Sequence, residues 1–199
     1  MCNRYKMSAD LAELARRYGV DAVPEDVTSP SSELFPERPA WVVREEQGRR
    51  VLDVMSWGFP FQTPGKTKVI EKRVTNVRNL GSGFWRTALT RPERRCLVPF
   101  TAFSEYGQAR GTDGKLPLHW FDLPSRPIAS FAGVWRPLEN GAKAYAFLTC
   151  EPNSLVARVH PKAMPVILDD EGEERWLRGE LGDLAEPFPA QLMRVDGGG

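Results

Sequence analysis

A cysteine directly follows the initiator methionine in Met1-Cys2-Asn3-Arg4-Tyr5. A small second side chain generally permits removal of the methionine, which would leave Cys2 as a free 1,2-aminothiol. Its α-amine has a reference pKa of about 7.7 to 8.0 and its thiol one of about 8.5, so both nucleophilic forms exist near neutral pH. An aldehyde meeting such a terminus forms an imine with the amine, and the neighbouring thiolate then closes a five-membered thiazolidine ring. That second step is intramolecular, and fixed proximity can correspond to effective molarities of about 10⁵ to 10⁸ M. The alternative is that Cys2 is an incidental small residue in an unprocessed tail. Other residues must decide between the two.

Proton transfer has two candidates. His160, in Arg158-Val159-His160-Pro161-Lys162, is one of two histidines. The proline after it disfavours a helical conformation at His160, and a reference pKa of about 6.5 suits proton exchange during imine formation or ring opening. Glu105, in Phe103-Ser104-Glu105-Tyr106, carries a carboxylate in an aromatic, strand-like segment, where burial would raise its pKa. A surface strand position is the plain alternative. Asn76 and Arg78 are two apart, so on an extended chain an amide and a guanidinium project from one face. Arg78 could hold a phosphate while Asn76 bonds a sugar or the Cys2 backbone. Trp57, in Trp57-Gly58-Phe59-Pro60-Phe61, offers a ring for base stacking, with core packing as the alternative. His119, Cys96 and Cys150 read as structural residues in apolar strands.

These residues must be positioned by a fold, and the chain is long enough to bury a core while short enough for one domain. The spacing of Leu11, Leu14, Ala15 and Tyr18 predicts a helix capped by Ser8 and stopped by Gly19. Residues 24–39 read as a surface connection. Residues 41–44 and 51–55 flank a polar segment and predict a hairpin. Further strands are expected at 69–75, 96–100, 118–123, 128–134, 144–149 and 165–168, with helices at 82–89, 153–159 and 171–177. The pattern predicts a single α+β domain over residues 1–190, with a largely antiparallel sheet or open barrel core, a few flanking helices, and a flexible tail at 191–199.

The formal net charge is +1, but its distribution is uneven. Residues 66–95 hold nine basic side chains against Glu71 and Glu93, whereas residues 169–186 hold eight acids against Arg175 and Arg178. The basic segment is compatible with a phosphate-binding face or with a solvated loop. No apolar run spans a bilayer and no signal segment opens the chain, so a cytoplasmic address is expected. Three widely spaced cysteines without a CxxC pair argue against structural disulfides or a zinc site.

The ordered set Met1-Cys2-Asn3-Arg4-Tyr5, Trp57-Gly58, Asn76-Val77-Arg78, Arg95-Cys96-Leu97-Val98-Pro99, Phe103-Ser104-Glu105, Ala132-Gly133-Val134-Trp135 and His160 with Met164-Pro165-Val166-Ile167-Leu168 resembles the SRAP (SOS response-associated peptidase) family across nearly the whole chain. The resemblance implies a sensor of abasic sites in single-stranded DNA, strand junctions included, that forms a thiazolidine DNA-protein crosslink through its N-terminal cysteine. On that carry-over Cys2 matches the nucleophile, Asn76 and Arg78 the lesion-positioning motif, Glu105 the acid/base carboxylate, and His160 the histidine of imine chemistry and crosslink reversal. Arg4 and Thr149 fall on family-like positions near the site. Members are also described as peptidases that process their own N-terminus and as lyases on abasic DNA.

The chain departs from the family pattern in several places. Asn3 replaces a glycine, Lys162 stands where an arginine is usual, Gln62 replaces a tryptophan, and Asn79-Leu80 replaces Glu-Thr. Lys162 keeps the attraction for phosphate but lacks the planar fork of arginine. With Gln62 in place, stacking would fall to Phe61 or Trp85. The resemblance implies no cofactor or metal and a monomer. The partner would be abasic single-stranded DNA, with the protein at the nucleoid when DNA-bound, and the sequence leaves open which replication or repair proteins join it. Two rivals remain: a cysteine hydrolase using Cys2 and His160 on a peptide or amide bond, and a non-covalent single-strand binder stacking bases on Trp57 and Trp85.

Overall fold

The structure, a computed structural model, describes residues 2–20, 23, 29–64 and 69–196. Met1, Pro24, Lys66 and Lys68 of the basic segment, and the Gly197-Gly198-Gly199 tail lie outside these residues.

In chain order the elements are β1 (Tyr5–Lys6), α1 (Leu11–Tyr18), β2 (Glu33–Leu34), β3 (Pro39–Glu46), β4 (Arg49–Trp57), β5 (Phe59–Pro64), β6 (Val69–Val74), β7 (Asn76–Val77) and α2 (Gly83–Thr90). They continue with β8 (Arg95–Phe100), β9 (Ala102–Tyr106), β10 (Leu118–Asp122), β11 (Ala129–Pro137), β12 (Lys143–Cys150), β13 (Met164–Pro165), β14 (Ile167–Leu168), α3 (Asp170–Leu177) and β15 (Arg194–Val195). The expected α+β class holds.

The strands β12, β4, β3, β8 and β11 pair in sequence, and a further β11–β12 pairing closes them into a ring. Of the expected forms, a largely antiparallel sheet or an open barrel, the largely antiparallel sheet is observed, closed into a barrel by that pairing. Its contacts are antiparallel except for β4 on β12. Closure removes sheet edges, and its interior is aromatic: Phe131 stacks on Phe100 with centroids 3.9 Å apart and meets Phe147 at 4.7 Å. A second sheet, ordered β15-β10-β9-β1-β2, carries the N-terminus.

Local chemistry explains where the expected boundaries moved. Asp10, not Ser8, caps α1, because Asp10 and Glu13 have the three-residue spacing of a reciprocal capping box, Glu13 N–H donating to Asp10 Oδ1 (2.8 Å) and Asp10 N–H to Glu13 Oε2 (2.9 Å). Gly19, at φ +58°, ends the helix as expected. The helix expected at 153–159 is a single 3₁₀ turn, Val156–Arg158. Asn153 Oδ1 accepts from the Leu155 and Val156 N–H groups, and Pro161 follows too soon for propagation.

The expected strand 165–168 is broken at Val166. Its N–H donates to Leu148 O while its carbonyl accepts from Ala132, so the chain changes neighbour there. Within 24–39, Glu33–Leu34 pairs with β1, and Pro39 already opens β3. The tail expected from residue 191 is also corrected: β15 adds to β10, because Val195 and Arg194 find Phe121 and Asp122 as ladder partners.

Two features place the site. The strands β4 and β7 both lie parallel to β12, Trp57 opposite Tyr145 and Asn76 opposite Phe147, with the β5–β6 hairpin leaving and returning between them. The departure needs Gly58: its φ is +108°, and a Cβ there would come within 2.9 Å of Arg73 Cβ. Meanwhile Tyr5 pairs with both Leu34 and Phe103, so β1 leads the N-terminus along β9.

Candidate active site

Cys2 is 1% exposed and precedes β1, where the Arg4 carbonyl accepts from both Ser104 N–H (3.0 Å) and Ser104 Oγ (3.2 Å). This extension of the β1–β9 pairing carries Cys2 toward Glu105, the next residue of β9. The Cys2 carbonyl accepts from Asn76 Nδ2 at 3.1 Å. Asn76 is thus joined to the Cys2 backbone, one of the two contacts its sequence position offered.

Electrostatics sharpen the grouping. Burial pushes the Cys2 thiol well above its ordinary range, and the Glu105 carboxylate adds to the rise. Glu105 is itself buried, and burial raises its carboxyl from an ordinary 4.5 to about 7. Its Oε2 lies 3.8 Å from His160 Nδ1. Burial lowers the His160 pKa, with the Lys162 and Arg78 cations lowering it further, so the imidazole is neutral near pH 7. Cys2, Asn76, Glu105 and His160 therefore form one group around a buried thiol of depressed acidity and a carboxyl raised to about 7.

Thr149 and Arg78 border the same group. Thr149 lies near the end of β12, opposite Pro165. Its Oγ1, like Asn76 Oδ1, is buried and without a hydrogen-bond partner among the described residues. A buried polar atom left without a partner costs about 1–3 kcal/mol. Arg78 is half exposed; it donates to the Lys162 carbonyl at 2.6 Å and meets Glu151 at 3.4 Å. Lys162 itself is exposed. Together Arg78, Thr149, Cys150, Glu151 and Glu186 line a hollow of about 320 Å³. The two acids there would oppose an anion that the arginine attracts.

Arg4 is held differently from a free phosphate ligand. Its guanidinium pairs with Glu33 and lies 5.1 Å from the Phe35 ring and 5.5 Å from that of Trp120.

The two tryptophans expected to stack on bases do not face solvent. Trp57 is 0% exposed, packed on Phe147 (5.2 Å) and edge-on to Tyr5 (5.2 Å). Trp85, on the inner face of α2, packs on Phe84 and Phe59. Core packing won at both because each sits on the inward phase of its element.

The exposed aromatics by the site are others. A cavity of about 280 Å³ is lined by Asn3, Arg4, Phe35, Pro36, Glu105 and Tyr106 among others. Phe35 is 40% exposed and Tyr106 49%. Both were legible as the outward neighbours of inward-facing strand residues, Leu34 and Glu105, but without the fold nothing joined residue 35 to residue 106. Among the described residues no three His, Cys, Asp or Glu side chains converge as a metal-ligand set, and no helix is long and apolar enough to cross a membrane.

Similar proteins are known for both the sequence and the fold. The chain is 26% identical over 210 residues to the abasic site processing protein YoqW of Bacillus subtilis strain 168, covering 98% of this chain and 91% of the relative, with the same values for its namesake in Bacillus phage SPbeta. The fold is similar to crystal structures of proteins from Bacteroides thetaiotaomicron (TM-score 0.77, 22% identity, 98% of this chain and 90% of the other) and Bordetella bronchiseptica (TM-score 0.75, 21% identity, 98% of each). The family model described as SOS response associated peptidase (SRAP) matches residues 1–196, and the chain belongs to that family.

Proposed function

We propose that this protein processes abasic sites in single-stranded DNA by capturing them as a thiazolidine through Cys2, once Met1 has been removed. The observation that carries the proposal is the convergence of Asn76 and Glu105 on a buried Cys2. The likeness to proteins named for abasic site processing supplies the substrate class.

The α-amine of Cys2 attacks the C1′ aldehyde of the ring-opened sugar and gives a carbinolamine. Glu105, protonated below about pH 7, donates a proton to the departing hydroxyl, so water leaves and an imine forms. The imine leaves this step protonated on nitrogen; the carboxylate then takes the thiol proton as sulfur bonds to the same carbon and the C=N electron pair returns to nitrogen, closing the ring. One water is released and nothing is oxidised or reduced. His160, neutral near pH 7, exchanges protons with Glu105 and assists ring opening on reversal.

Asn76 Oδ1 and Thr149 Oγ1, both buried polar atoms without a hydrogen-bond partner among the described residues, take the sugar C4′ hydroxyl and a phosphodiester oxygen. Arg78 exchanges Glu151 for the phosphate, with Lys162 adding charge. Bases flanking the lesion stack on Tyr106 and Phe35 rather than on Trp57 or Trp85. A lyase step on abasic DNA would proceed from the same imine.

The cysteine hydrolase reading needs a thiolate activated by a base. Burial disfavours a free thiolate at Cys2 before substrate arrives, so a covalent step that begins at the amine, with the thiol deprotonated only as it closes the ring, fits better. Autoprocessing at the N-terminus would use the same residues.

The test is Cys2→Ala, mixed with single-stranded DNA carrying one abasic site and then denatured. Adduct resistant to denaturation is expected with the unaltered protein and absent from the variant. Equal adduct from C2A would overturn the proposal.

A further inference from the structure

We propose that Thr75 is a positioning residue that fixes the side-chain amide of Asn76 so that its oxygen, and not its nitrogen, faces the reacting group. The inference rests on the covalent reading above and goes beyond it, since Thr75 belongs to no part of the machinery so far described.

Asn76 Nδ2 carries two hydrogens. One goes to the Cys2 carbonyl at 3.1 Å, and the other goes to Thr75 Oγ1 at 2.7 Å. A carbonyl can only accept, so the first bond identifies the nitrogen. With both hydrogens engaged, Oδ1 is the one polar atom of the amide left for a ligand, and it is buried without a partner among the described residues. Without the threonine hydroxyl the amide would keep a single anchor and could turn about its terminal torsion, which is intrinsically broad. Asn76 would then present donor and acceptor in mixed proportion.

Thr75 is itself held by two hydrogen bonds to its carbonyl and sits close against Gly58. Its carbonyl accepts from Trp57 Nε1 (3.2 Å) and from Phe147 N–H (3.4 Å). Its Cγ2 lies where a Cβ on Gly58 would meet it at 3.2 Å. The buried Trp57 therefore contributes to the site as the anchor of the residue that orients Asn76. The chain reads Trp57 to Thr75 to Asn76 to Cys2, each link a hydrogen bond or a peptide bond.

The test compares Thr75→Val, which keeps the branched shape and removes the acceptor, with Thr75→Ser, which keeps the acceptor. Two readouts are needed. The first is the crosslinking rate at saturating abasic DNA, beside the Kd for a strand carrying the unreactive tetrahydrofuran analogue. The second is exchange of the two Asn76 side-chain amide hydrogens by NMR. T75V should slow crosslinking by about tenfold with Kd changed less than about twofold, while one Asn76 hydrogen exchanges about tenfold faster. T75S should restore both.

Unchanged exchange in T75V, or an equal loss in T75S, would overturn the proposal. If the unaltered protein formed no adduct, the covalent reading would fail by itself, and the exchange comparison would still decide the role of Thr75.

Discussion

Two buried glutamates separate what the fold needs from what the site needs. Glu173, 2% exposed on α3, is met by Arg17 at 2.9 Å and Arg126 at 3.7 Å, with Asp170 bonded to both arginines. Burial pushes its carboxyl up, and the two arginines oppose the push. Glu105, 5% exposed, faces a histidine that burial holds neutral, and its carboxyl rises to about 7. The first arrangement stabilises an ion by pairing it. The second leaves a proton exchangeable at neutral pH, which serves structure poorly and proton transfer well.

The contrast can be broken by exchanging the losses. Glu105→Gln should slow crosslinking by about 10²- to 10⁴-fold, the usual range for a lost acid/base group, without lowering stability. Glu173→Ala should do the reverse, taking the buried carboxylate from Arg17 and Arg126, which keep Asp170, and costing about 1–3 kcal/mol of unfolding free energy by denaturant titration, while the remaining folded protein crosslinks at its ordinary rate. A loss of stability in E105Q equal to that in E173A would erase the distinction.

The pH dependence sharpens it. The folded-state pKa of Glu105 lies above its ordinary 4.5, so the folded protein binds this proton more tightly than the unfolded chain does. Stability relative to E105Q should therefore be greatest below about pH 4.5 and decline as pH rises through about 7, and the crosslinking rate should show an inflection near 7 that E105Q lacks. A smaller effect separates inward from outward aromatics. Tyr106→Ala should weaken binding of single-stranded DNA by about 1–3 kcal/mol, measured by fluorescence anisotropy, whereas Trp85→Phe should leave affinity within about twofold.

Much of this was legible in the sequence where one residue type answers one physical need. Gly19 stops α1 as the pattern predicted, and the helix expected at 82–89 forms as α2, with Ser82 as its cap. The apolar runs of β8, β11 and β12, buried along nearly their whole length, were expected as strands. Cys2, Asn76, Glu105 and His160 stood out by chemistry, and the fold brings them together across chain separations that no local pattern encodes.

What stayed hidden depended on tertiary partners. Trp57 and Trp85 carry the same rings whether they face a base or a core, and only the closed barrel decides. Arg4 falls on a family-like position near the site, and only the fold shows its partner Glu33, 29 residues on. Thr75 has no signature at all. Its role exists because Asn76 folds its amide back onto the preceding hydroxyl while reaching Cys2 across 74 positions of sequence.

The most direct test of the account is the mass of the adduct formed with single-stranded DNA carrying one abasic site, together with the residue that bears it, by tandem mass spectrometry after denaturation and nuclease digestion. The account predicts a protein lacking Met1, carrying the sugar remnant on Cys2 with the loss of one water. Attachment at a lysine, or no adduct from a protein whose N-terminus is verified to be a free Cys2, would contradict it.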